Sequence, residues 1–149
     1  MKRLGLVSML LFLTAVGCAT PSQISLDAEV KRLCAIDGGI KVYETVKLSA
    51  DKFNQWGQIN FYKPTQGENA LGSEYVYRSE SLYLRQGDPD LRRDHVQIFR
   101  ESDMKLLGEV TTYVRGGGDL PGPWQPSAYR CPDGSIANGV VLMNKVFTN

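Results

Sequence analysis

The chain has 149 residues, with 17 Lys and Arg against 16 Asp and Glu and a formal net charge of +1. So even a balance excludes the basic field that draws a protein to nucleic acid or anionic lipid, and the length allows one ordinary domain beyond any leader. Cysteine occurs three times and histidine once, at His95, which leaves little material for a metal centre.

A basic start, Lys2-Arg3, precedes an apolar run over residues 4–16 broken only by Gly5, Ser8 and Thr14. The run falls short of the about 20 residues that a membrane span needs, and it has the layout of a secretory signal. The residues Ala15-Val16-Gly17-Cys18 that close it resemble the lipobox of bacterial lipoproteins. That resemblance implies a signal peptide over residues 1–17 and acylation of Cys18 as the mature first residue. With Ala19 next, it also implies sorting to the bacterial outer membrane, the domain lying in the periplasm or on the surface. Residues 18–25 then read as a lipidated tether and residues 26–149 as a single domain. Losing Lys2 and Arg3 turns the net charge from +1 to −1.

Ser25 is the expected cap of the first helix, with Asp27 and Glu29 in its first turn. Leu26, Val30, Leu33 and Cys34 fall on one apolar face, and Gly38-Gly39 stops the helix. Residues 40–48 alternate as a half-buried strand, with Ile40, Val42, Val46 and Leu48 on one face. A short helix from Ser49 carries Phe53 and Trp56 and ends at Gly57. Residues 58–62 read as a short strand and residues 63–73 as a surface loop. Residues 75–85, 94–101 and 105–115, rich in Val, Ile, Tyr and Thr, read as three longer strands. The turn Ser102-Asp103-Met104 joins the last two as a hairpin. Residues 116–132 are rich in Gly and Pro and read as a stiff loop, and residues 140–147 as a closing strand. A helix followed by a run of strands predicts an α+β fold: the N-terminal helix packed on a curved antiparallel sheet of about four to six strands.

In an oxidising compartment Cys34 and Cys131 are expected to pair once Cys18 is given to lipid. The alternative is that Cys34 is a buried small hydrophobe. Residues 33–39, Leu-Cys-Ala-Ile-Asp-Gly-Gly, and residues 120–124, Leu-Pro-Gly-Pro-Trp, leading to Cys131-Pro132, resemble small uncharacterised lipoproteins of Gram-negative bacteria. The resemblance implies that Cys34 and Cys131 belong to one scaffold and implies no activity.

Charges interrupt two apolar strand faces. Glu44 shares a face with Ile40, Val42, Val46 and Leu48, and Arg78 and Glu80 lie between Val76 and Leu82. A charge drawn under a helix needs a partner, so Glu44 is expected to meet an arginine, Arg78 first and Arg100 second, as a structural ion pair. A recognition surface is the other candidate. Trp124 sits between Pro123 and Pro126, and a restricted aromatic loses little entropy on binding; Tyr129 and the row Tyr75, Tyr77 and Tyr83 extend it. The competing assignment puts Trp124 and these tyrosines in the core.

His95 reads as a cross-strand residue, and no nucleophile elbow, phosphate loop or dinucleotide fingerprint is present. The leading expectation is a non-catalytic envelope lipoprotein, a membrane-anchored binding or accessory module held by its N-terminal lipid. It has an envelope protein as partner and no cofactor, metal or nucleic acid. Alternatives are a phage- or plasmid-related surface-exclusion lipoprotein and a small periplasmic hydrolase using a free Cys34 or a carboxylate pair.

Overall fold

Thr20, Pro21 and Gln23 start the first helix five residues before the expected cap. In the computed structural model, which describes residues 19–123 and 125–149, helix α1 spans Pro21–Asp37. The Thr20 hydroxyl accepts the Gln23 N–H at 3.3 Å, and the Gln23 side chain accepts the Thr20 N–H at 2.9 Å. This reciprocal capping box, with Pro at the first helical position, satisfies amides that the helix leaves open. The tether expected over residues 18–25 is therefore helix from residue 21 onward. Cys18 and the signal segment 1–17 lie outside the described residues.

Next come strands β1 (Gly39–Val42), β2 (Val46–Lys47), β3 (Tyr75–Arg85), β4 (Asp90–Arg100), β5 (Lys105–Gly116) and β6 (Ala128–Cys131), then helix α2 (Gly139–Val146) and strand β7 (Phe147–Thr148). The fold is α+β: β1, β5, β4 and β3 form an antiparallel sheet in that order, and β6 pairs with the part of β5 beyond β1. A two-stranded parallel pair, β2 with β7, stands apart.

Five expectations are corrected. Residues 40–48 are not one strand: the chain breaks after Val42, where the Tyr43 and Glu44 amides both donate to the Leu107 carbonyl. Residues 139–146 are a helix rather than a closing strand. Asn138 caps it by accepting the Val141 N–H at 2.9 Å, and Leu142, Met143 and Val146 form its buried face at helical spacing. Within the stiff loop, residues 128–131 add a strand to the free half of β5's edge. The loop 63–73 winds into a 3-10 turn, Pro64–Asn69, and buries Ala70 and Leu71. The helix expected from Ser49 shrinks to one 3-10 turn, Ala50–Lys52, leaving Trp56 exposed.

Two apolar clusters form, on opposite faces and toward opposite ends of the long strands. The larger one gathers Tyr75, Ile98, Leu107 and Val110 from the sheet under Leu142, Met143, Val146 and Phe147. A register shift after Ile98 makes Leu107 an extra residue and turns it into this cluster. The smaller one packs Leu26 and Val30 of α1 on Leu91 and Tyr113, with Leu33, Cys34, Tyr129 and Cys131 around them. Val110 and Tyr113 differ by an odd number of residues, so their side chains leave β5 on opposite faces. Gly108 lets α2 approach: a Cβ there would lie 2.9 Å from Val146 Cγ2 and 3.0 Å from Leu142 Cδ1.

A candidate recognition cleft beside the first helix

The turn between β3 and β4 and the loop between β5 and β6 meet at one end of the sheet and enclose a cleft of about 580 Å³, lined among others by Asp88, Arg92, Asp119, Leu120, Pro121 and Pro126. That volume suits a small ligand or a short extended segment. Gly117 lines its floor, and Gly118 follows directly beneath α1. Both have positive φ, 71° and 80°, and Pro89 and Gln23 approach Gly118 so closely that a Cβ would lie 2.9 Å from Pro89 Cβ and 3.0 Å from Gln23 Cγ. Only glycine meets both demands. The Gly118 amide also donates to the Asp88 carboxylate.

Below the floor a polar network ties the loop to α1. Arg115, buried with its side chain 6% exposed, donates through Nε to Asp27 Oδ1 at 2.8 Å and through Nη2 to Oδ2 at 3.3 Å. Its Nη1 donates to the carbonyls of Gly117 and Ser127 and to the Ser127 hydroxyl. The Gln23 amide nitrogen donates to the Gly117 carbonyl, Asp119 Oδ1 and the Ser127 hydroxyl, at 3.2, 3.0 and 3.0 Å. The Ser127 backbone N–H donates to Asp119 Oδ2 at 2.7 Å; this bond, the Ser127 hydroxyl and Gln23 hold the Asp119 pKa below its usual range. On the cleft wall Arg92 stacks 6.0 Å from the Tyr83 ring and places Nε 2.8 Å from Asp94 Oδ1, misaligned for a hydrogen bond.

Of the residues proposed for recognition, Tyr129 is half-buried, with the Lys31 ammonium 5.7 Å from its ring centre. Trp124 lies outside the described residues. Tyr75 and Tyr77 belong to the larger cluster, Tyr75 buried within it and Tyr77 packed against it, whereas Tyr83 is exposed. Cys34 and Cys131 are joined by a disulfide, Cα–Cα 5.9 Å, which fixes β6 to the last turns of α1. Glu44 meets Arg100, and Lys105 approaches its second oxygen at 2.5 Å. The bonds from Lys105 and then Arg100 lower the Glu44 pKa. Arg78, the first candidate, instead reaches Glu68 at 3.2 Å and covers Phe99. The strand order is the reason: β5 and β4 lie between β1 and Arg78 on β3, whereas the chain leaving Val42 opposite Gly108 heads for the Lys105–Arg100 end of the hairpin.

A second polar group crosses the open part of the sheet. Tyr43 Oη donates to Glu109 Oε1 at 2.6 Å, and His95 Nε2 is hydrogen-bonded to Glu109 Oε2 at 2.8 Å. Burial pushes the Glu109 carboxyl up, but Tyr43 and His95 outweigh it and leave the pKa lowered. Among the described residues no nucleophilic side chain is hydrogen-bonded to His95, and no group of three or more His, Cys, Asp or Glu gathers as a metal site.

Sequence reasoning missed Gln23, Asp27, Arg115 and Asp119. Only Gln23 carried a local signal, its place three residues after Thr20. Compared with family models, with curated proteins and with solved structures, the chain matches none.

Proposed function

We propose that this chain is a non-catalytic, lipid-anchored envelope module of the outer membrane, acylated at Cys18, that works through protein contacts. The observation that carries the reading is the division of the three cysteines. Two are bonded to each other within the domain, and the third ends a signal-like apolar run in a sequence that resembles a lipobox. The disulfide also removes the thiol that a cysteine hydrolase would need. The cleft supports binding rather than turnover, because two of its aspartates, Asp88 and Asp119, are engaged in holding the loop.

Intact mass of the detergent-extracted protein, alkylated with and without reduction, tests this. A chain beginning at Cys18 with added acyl mass, and two thiols that label only after reduction, is expected. A retained N-terminus, or thiols that label without reduction, would remove the reading and bring back the thiol hydrolase.

A further inference from the structure

We infer that the anchor has no slack, so the cleft end of the domain rests against the lipid headgroups while the turn at Ser102 points away from the membrane. This rests on the proposed acylation of Cys18. Helix α1 is capped at Thr20, and the Thr20 hydroxyl also donates to the Gly118 carbonyl at 2.8 Å. One residue, Ala19, separates Thr20 from Cys18, and the two residue steps reach at most about 7 Å. Gln23, in the first turn, is 4% exposed and bonded to Gly117, Asp119 and Ser127, so the cap is held on three sides and cannot unwind into a tether without breaking that network. An acylated Cys18 is thereby kept within about 7 Å of Thr20, whose hydroxyl is bonded to Gly118 beside the cleft.

The side chains at this end suit the position. Ile24, one helical turn from the cap, is 61% exposed, and Leu120, at the start of the proline-rich loop, is 58% exposed. Apolar side chains near the acyl–headgroup boundary gain by partial burial there. Strand β5 carries the chain from Gly116 to Lys105, roughly 35 Å at ~3.3 Å per residue, which puts Ser102, Asp103 and the Glu44–Arg100–Lys105 cluster at the far end. The occupant of the loop end is thus the headgroup layer, and a protein partner has the far end open to it.

The test uses the full acylated protein, reconstituted in vesicles of phosphatidylethanolamine and phosphatidylglycerol with a share of lipid carrying a spin label on its headgroup. Ile24→Cys, Leu120→Cys and Ser102→Cys variants each bear a fluorophore, and intact mass verifies acylation of every sample. Several-fold stronger quenching at 24 and 120 than at 102 is expected, and eight Gly and Ser residues inserted between Ala19 and Thr20 should erase the difference. Equal quenching at all three sites in acylated protein overturns the orientation and leaves the anchor standing. Chains without acyl mass remove the anchor and the orientation together.

Discussion

Arg115 holds Asp27 by two parallel hydrogen bonds, Nε to Oδ1 at 2.8 Å and Nη2 to Oδ2 at 3.3 Å, so the end of the central strand grips the second turn of the first helix. The guanidinium is almost wholly buried, while Asp27 keeps 27% of its side-chain surface. Arg115→Gln should cost about 2–3 kcal/mol, below the 3–5 typical of breaking a fully buried pair because Asp27 keeps some water. It should also loosen residues 116–127 to proteolysis, since the Gly117 and Ser127 carbonyls lose their donor. Urea denaturation with limited digestion checks this; unchanged cleavage would mean that the pair does not hold the loop.

Gly108 sits where α2 crosses the sheet. Gly108→Ala brings a methyl against Val146 and Leu142 and should destabilise by about 1–3 kcal/mol, the usual range for overpacking. Adding Val146→Ala removes the nearest atom, so the double variant should lose less than the sum of the singles. Full additivity would show that the crowding lies with Leu142 Cδ1 or the Lys41 carbonyl, 3.0 and 3.1 Å from the built Cβ.

The Cys34–Cys131 bridge spans 97 residues. Replacing both cysteines by serine should lower stability by up to about 4.7 kcal/mol, the chain-entropy figure for a loop near 100 residues. The variant's denaturation midpoint gives the answer, and a loss no larger than that of a surface substitution would contradict a structural role.

Glu44 and Arg100 should be coupled in a double-mutant cycle of Glu44→Gln and Arg100→Gln, and Glu44 with Arg78→Gln should not. The coupling should shrink in high salt, since both partners are about a third exposed. Coupling to Arg78 instead would contradict the strand order, which sets β5 and β4 between β1 and β3.

Stability should fall in acid. In Asp37, burial raises the pKa, but Tyr113 and Arg93 outweigh it, and the folded pKa, like those of Glu44, Glu109 and Asp119, lies below the ordinary value. Each of these carboxyls binds fewer protons folded than unfolded. Its contribution is therefore complete above the unfolded pKa, about 4, and is lost as pH drops through the lower folded value. Thermal melts between neutral pH and pH 3 should show a plateau and then a decline; melting points that rise toward acid would refute it.

The three long strands were legible because β-branched and aromatic residues mark them whatever lies beyond. The second helix was not. Val140, Val141, Leu142 and Met143 read as a buried strand, and only the cap at Asn138 argues otherwise. Strand β6 was hidden by the prolines around it, since its pairing depends on β5 offering an edge that no local pattern records. The true start of α1 was present in the Thr20-Pro21-Ser22-Gln23 spacing but was masked by polar composition that suits a tether. Glu44 was recognised as a charge needing an arginine; which arginine depended on the strand order, which sets two strands between β1 and Arg78. Arg115 and Asp27 are 88 residues apart, and nothing local links them.

The two apolar clusters meet only through the strands between them, and one end of the molecule can open while the other stays shut. Opening the α1 end would expose Leu26, Val30, Leu91 and Tyr113 and leave α2 docked on Ile98 and Val110. Amide hydrogen exchange should then sort the chain into two cooperative units of different protection. The slowest amides should belong to Val110 through Tyr113, the stretch of β5 whose side chains alternate between both units.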